Sequence, residues 1–314
     1  MQGAGDRMAK DNHPILADLA IPAPNPRISA RTAFTVVELL VVVAVVALLT
    51  ALLLPALSGV RQRAATVREL ASLRGVITAW NQYATDQKGW LIPAFYGMPP
   101  LSPLPAWYQD GEPIPPEVFG NQRSVVARWP HRLSRYLDHR SDLLAVTSET
   151  WQVRECAGGD LMKALYFESL YPAFGLNGMW VGGDQERYGF MPGQVGGRPN
   201  PFSNFYVSRL SGIRHPDQLT VFASSRTNQN ACATGGVREG YFRLESPQWL
   251  GPQWAASYDP ELATSSGNVS ARWDGRASVA TADAAVELVP LDELRDMRRW
   301  ADQATAADWR FTPR

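Results

Sequence analysis

Two cysteines, four histidines and no surplus charge of either sign leave this chain short of the usual ingredients of a reactive site. Cys156 and Cys232 stand 76 residues apart and form no CxxC pair, which excludes a zinc ribbon or a thioredoxin-type motif by spacing. One disulfide in an exported body and two buried free thiols explain the pair equally well. His13, His131, His139 and His215 contain no HExxH or HxH ligand pair. Cys156 and His215 as nucleophile and base have no local support, since neither lies in a recognisable nucleophile turn. Ser224-Ser225, Ser265-Ser266, Gly182-Gly183 and Gly196-Gly197 match neither a hydrolase elbow nor a phosphate loop. Lys plus Arg total 30 against 30 Asp plus Glu, with no basic run, so the electrostatic footprint of a nucleic-acid binder is missing. The sequence contains no internal repeat and no low-complexity tract.

What it does contain is one long apolar run. From Leu39 to Leu57 only Thr50 and Pro55 interrupt it. At 1.5 Å rise per residue a helix of this length roughly matches the ~30 Å hydrocarbon thickness of a bilayer. A cleaved secretory signal is shorter and has its cut site after the apolar stretch, and a buried core helix is not apolar all round at the start of a polar chain. A membrane span is therefore expected. Arg27 and Arg31 flank its amino-terminal side, which favours an N-inside orientation and sends the carboxy-terminal bulk across the membrane. Glu38 lies at the edge of the run, where a carboxylate is costly unless it has a partner. Beyond Pro55, apolar residues at Leu70, Leu73, Val76, Ile77 and Trp80 draw a helical stripe, while Arg61, Arg68, Glu69 and Arg74 lie off it. One helix from about Phe34 to Thr85 is expected, stopped by Asp86-Gln87-Lys88-Gly89 and by Pro93.

The segment Ala33-Phe34-Thr35-Val36-Val37-Glu38-Leu39 resembles the amino terminus of type IV pilins and pseudopilins: a small residue, then Phe-Thr-Leu-Ile-Glu-Leu. Val36 and Val37 replace the Leu and Ile, and Ala33 stands where Gly is usual. The resemblance implies that a prepilin peptidase cleaves between Ala33 and Phe34 and methylates the Phe34 amine. It also implies that Glu38 neutralises that amine on a neighbouring subunit, and that Pro55 is the helix-kinking proline. The implied organisation is a leader over 1–33, the transmembrane half of the helix over 34–57, its amphipathic half over 58–92 and a periplasmic pilin-like domain over 93–314. The implied fold is α+β, a long amino-terminal helix packed on a carboxy-terminal antiparallel sheet with long loops. The chain would sit in the inner membrane as a single-pass subunit. Its partners would be the peptidase, other pilin or pseudopilin subunits and the inner-membrane assembly platform.

Across the whole chain, 25 Gly and 24 Pro with 11 Trp and 10 Tyr argue for a loop-rich, strand-containing body. Residues 93–117 are proline-dense and read as a surface loop. Trp129–Leu137 reads as a short helix, Ser169–Gly178 as strand and turn, and Leu219–Ala223 as a strand. Asp274-Gly275-Arg276 predicts a hairpin pairing Val269–Trp273 with Ala277–Ala280, and 292–300 reads as a short charged helix. These landmarks resemble large pseudopilin-like proteins of Planctomycetes and Verrucomicrobia. Such proteins often carry a histidine ten residues before the Asp-Gly pair; Thr264 occupies that place here.

Some pseudopilins hold calcium near the carboxy-terminal sheet, and Asp259, Glu261, Asp274 and Asp283 fall in that region. They lack EF-hand spacing, and solvated loop carboxylates account for them better. No other cofactor is implied. Trp107, Trp249 and Trp254, read as exposed in proline-rich loops, motivate a rival function: a membrane-anchored periplasmic binding protein for polysaccharide or peptide. An anchored hydrolase has no acid, base or nucleophile set behind it, so no enzymatic activity is expected.

Overall fold

The computed structural model describes residues 35–96, 112–113, 115, 124–146, 156–187, 194–195, 198–199, 205–229 and 236–313. Side chains at 53–58, 124, 141, 194–195 and 198–199 are outside that description. The chain divides into two units, Met1–Leu57 and Ser58–Arg314.

Helix α1, Val36–Asp86, is 51 residues long. It ends where the sequence turns polar. Lys88 and Gly89 both adopt left-handed backbone, and the Gly89 N–H closes back on Ala84 O at 2.7 Å. Within the second unit, Leu73, Val76, Ile77, Trp80 and Ala84 of α1 are fully buried and belong to one apolar cluster with the sheet. Leu73, Val76 and Ile77 each contribute about 1.5–3 kcal/mol on leaving water.

Glu69 corrects the sequence reading. Expected off the stripe, it is fully buried beside Ser72 and Leu73. At 100° per residue, Glu69 falls on the same side as Leu73, Val76 and Trp80.

The rest of the chain makes an α+β body. Short helices α2 (Ser124–Ala127), α3 (Trp129–Leu133) and α4 (Leu161–Leu170) precede the strands. The Asp160 side chain caps α4 by accepting from Lys163 N at 3.1 Å. Trp129 of α3 packs its ring against Phe222, and its indole N–H donates to Phe242 O at 2.7 Å.

The strands are β1 Phe174–Leu176, β2 Gln194–Val195, β3 Arg198–Pro199, β4 Thr220–Ser224, β5 Arg226–Thr227, β6 Arg238–Glu239, β7 Arg276–Thr281 and β8 Val286–Pro290. The main sheet runs β1-β4-β7-β8, all antiparallel, with a register shift in the β4–β7 pair between Thr220 and Phe222. β2–β3 and β5–β6 are separate two-stranded pairs. β4 is buried along its whole length, as a central strand covered on both faces must be. Terminal strand β8 is only partly covered and carries the exposed Glu287 and Pro290.

The hairpin expected across Asp274-Gly275 is corrected. Asp274 and Gly275 are both left-handed, as a two-residue turn requires, but only Trp273 and Arg276 pair across it. Val269 bridges Ser225 instead, and β7 takes β4 and β8 as neighbours. The hairpin in fact joins β7 to β8, where Asp283 Oδ1 accepts from Thr281 Oγ1 at 2.6 Å and from Ala285 N at 3.0 Å.

The charged helix expected over 292–300 is also corrected. The segment forms two 3₁₀ turns, Glu293–Arg295 and Met297–Arg299, broken by extended Asp296. The buried residues Leu294, Met297 and Trp300 recur every third position, the 3₁₀ period and not the α period.

Arg272 holds α1 to this body. Its Nε donates to Glu69 Oε2 at 2.9 Å, its Nη1 pairs with Glu239 and its Nη2 donates to Ala173 O at 3.1 Å. Ser278 Oγ of β7 donates to the other Glu69 oxygen. Removing the cation leaves two covered carboxylates uncompensated. Arg272→Met is therefore expected to cost about 3–5 kcal/mol in equilibrium urea unfolding, whereas Arg68→Met on the exposed side of α1 stays within about 0.5 kcal/mol.

Candidate functional site

In the first unit, the start of α1 is built as a capping box. The Thr35 N–H donates to Glu38 Oε2 at 2.9 Å, Thr35 Oγ1 donates to the same oxygen at 2.8 Å, and Glu38 N–H donates to Thr35 Oγ1 at 3.2 Å. The Thr35-x-x-Glu38 spacing is the sequence signal of this box. Within one chain, Glu38 thus serves its own helix end.

After it, every large apolar side chain described in the first unit is solvent-facing, from Val36 at 80% through Leu48 at 64% to Leu52 at 68%. Thr50 folds its hydroxyl onto Val46 O and Ala47 O, removing its donor from the surface. Among the described residues no helix is long and apolar enough to cross a membrane. The side chains of 53–58, which continue the run, are outside the description, although the backbone there is helical. Ala33 and Phe34 lie outside the described residues; Pro55 lies within α1, its side chain among those not described.

The body's titratable groups are dispersed. His131 is buried with Nε2 2.9 Å from Leu165 O, and burial pushes its imidazole below the ordinary range. His139 sits in left-handed backbone after the α3 region. The His215 backbone N–H donates to the buried Asp302 carboxylate at 2.8 Å, as does Arg214 N at 2.9 Å. His13 is outside the described residues.

Cys156 is disulfide-bonded, which removes the thiol a nucleophile needs. The sequence offers only Cys232 as its partner, and Cys232 lies outside the described residues. Asp259, Glu261, Asp274 and Asp283 do not assemble: no group of three or more His, Cys, Asp or Glu among the described residues could hold a metal ion. Asp259 turns its carboxylate onto Glu261 N at 2.8 Å, and the Thr281 hydroxyl holds Asp283 below the usual carboxylate range.

The tryptophans are corrected as well. Trp254 is buried with its indole N–H on Glu245 O at 2.8 Å, and Trp249 stacks on Phe311 at 4.8 Å within an aromatic group that includes Trp180 and Phe205. Gly267 admits this arrangement, since a Cβ there would strike Glu245 O and the Trp254 nitrogen. Trp107 is outside the described residues.

Buried charge in the body is structural in geometry. Arg243 pairs with Asp184 at 2.6 Å and Glu186 at 2.7 Å; burial raises the Asp184 carboxyl even so, with Arg243 opposing. Arg226 donates to the carbonyls of Asp259, Pro260 and Leu262 and so fastens a loop. Three surface clefts of about 350, 450 and 630 Å³ contain no histidine or cysteine among their lining residues. No family model, no characterised protein and no solved structure matches this chain.

Two outcomes follow from these placements. Because the folded chain binds the His131 proton less readily than the unfolded chain, this residue's contribution to stability is complete above about pH 6.5 and is lost as pH falls below it. His131→Gln should flatten the decline in melting temperature measured between pH 7.5 and about pH 5. Cys156→Ser should lower stability by about 2–4 kcal/mol, through release of the unfolded chain, and should abolish the mobility difference between reduced and non-reduced gel samples.

Proposed function

We propose that this chain is an assembling, membrane-anchored subunit of the pilin or pseudopilin type, cleaved before Phe34 and built into a filament or pseudopilus through α1. The observation that carries the reading is the amino-terminal half of α1. It is an exposed apolar helix that begins with an acid, and water cannot be the medium that covers it. At about 25 cal/mol per Å² of apolar surface, leaving such a helix in water is far costlier than placing it in lipid or against like helices.

Three further features support the reading. The Phe34-Thr35-Val36-Val37-Glu38 order fits the prepilin motif. The second half of α1 lays its stripe on an antiparallel sheet, the pilin plan of spine and sheet. The Cys156 disulfide favours a body that resides in an oxidising compartment, hence the periplasm. The role is structural; the inner membrane, the prepilin peptidase and fellow subunits are its surroundings. Two of the three tryptophans that motivate the binding-protein alternative, Trp249 and Trp254, are committed to internal contacts.

Glu38 then has two duties at different stages: capping its own helix in the isolated subunit, and meeting a neighbour's Phe34 amine on assembly. The exchange sets axial register, a role better attested for buried charge than net stabilisation. The mature amino terminus, read by mass spectrometry, should be N-methylated Phe34. Glu38→Val should insert into membranes normally and yet give little cross-linked oligomer in cells. Thr35→Ala, which removes the capping hydroxyl and keeps the carboxylate, should still assemble. Retention of residues 1–33 in the native protein, or normal incorporation of Glu38→Val, would falsify the reading.

A further inference from the structure

Between Gly59 and Thr85, α1 carries Arg61, Arg63, Arg68 and Arg74 but one acid, Glu69, whose charge is buried against Arg272. All four guanidinium groups are on exposed residues. Two have counter-charges on the body. Arg68 is near enough to Asp142 to help hold that carboxyl down, after the larger effect of Arg140. Arg74 lines the 450 Å³ cleft with Asp86 and Asp138. Among the described residues Arg61 and Arg63 have no hydrogen-bond or ion-pair partner. On the exported side of a membrane such residues run against the ordinary distribution of Lys and Arg, which favours the cytoplasmic side.

We propose that Arg61 and Arg63 form a collar for the phosphate headgroups of anionic phospholipids, fixing the depth at which α1 leaves the bilayer. The inference rests on the membrane reading above. Depth is the first argument. The two arginines come four and six residues after Leu57, the last residue of the apolar run, so the helical rise places them about 6 and 9 Å further along. The headgroup layer on each side of a bilayer is roughly 5–8 Å thick, and an arginine stem reaches back toward it.

Direction is the second argument. Residues two apart on a helix project about 200° from each other. A docking protein meets one face of a helix, so it could engage one of these side chains and not both. A lipid leaflet encircles the helix and meets both. Chemistry is the third, because the guanidinium fork matches a phosphate in two parallel hydrogen bonds, and two such groups without local acids make an anionic ligand the complementary one.

The test uses the full chain reconstituted into phosphatidylcholine vesicles, with spin-labelled phosphatidylglycerol or spin-labelled phosphatidylcholine as probe. Wild type should hold the labelled phosphatidylglycerol in preference by roughly fivefold, the equivalent of about 1 kcal/mol per surface arginine, and salt should erode the preference. Arg61→Gln/Arg63→Gln should insert equally and show no preference. Both residues are exposed, and an unchanged melting temperature verifies the fold of the variant. Equal insertion with no preference in the wild type, or a preference that survives in the double variant, overturns the collar and leaves the membrane reading standing. Failure of the wild type to float with vesicles overturns both. Loss of cross-linking between copies in the double variant, with lipid preference intact, assigns the arginines to a neighbouring subunit and overturns the lipid role.

Discussion

A single guanidinium group decides how the second half of α1 meets the body. Arg272 reaches Glu69 on the helix, Glu239 on β6 and the carbonyl before β1, and Glu69 also receives a hydroxyl from β7. Apolar contact alone would not fix that meeting. A stripe of Leu, Val, Ile and Trp could slide by one helical turn and still bury similar area, because ridges repeat every three or four residues. A carboxylate has one tolerable position, the one with the cation, since a buried charge without its partner is strongly unfavourable. Two carboxylates share this cation, and the deficit is met by hydroxyls: Ser270 Oγ donates to Glu239 Oε1 at 2.9 Å, as Ser278 does to Glu69. The network sets position more than it adds net stability.

Once that register is fixed, the aromatic residues follow. Trp80 from α1, Trp129 from α3, Trp180 after β1 and Trp300 at the second 3₁₀ turn are all fully buried, and the last three have indole N–H groups satisfied inside the protein. Gly182 shows how tightly the loops close: its φ is left-handed, and a Cβ there would overlap Ile92 O. Trp129, Trp180 and Trp300 are thus each pinned by one hydrogen bond inside the body.

Periodicity and turn chemistry made part of this fold legible. The Leu73-Ile77-Trp80 spacing marked the covered side of α1, and the β-branched Leu219–Ala223 run marked β4. What failed did so for reasons of context. The helical period places Glu69 on the buried side of α1, but nothing in the local pattern shows the arginine two hundred residues away that pairs with it. Asp274-Gly275 carried the right turn, but a turn specifies two flanking residues and not which strands pair beyond them; β7 takes β4 and β8 as its neighbours. Met297 and Trp300 looked α-helical because a three-residue period is hard to tell from 3.6 over nine residues. Proline-rich surroundings made Trp254 look exposed, when Gly267 lets the chain close over it. Of the amino-terminal site, the acid, the apolar run and the Thr35-x-x-Glu38 spacing of the capping box are all legible, since each is local in sequence.

β8 ends the sheet order, and a terminal strand offers its free backbone to any other strand of suitable shape. This one is a poor template. Pro290 lacks an amide hydrogen, exposed Glu287 brings repulsion between identical copies, and the strand is five residues long. Copies crowded together at high local concentration therefore gain little by zipping edge to edge into amyloid-like ribbons. Their bodies can stay close neighbours without merging their sheets.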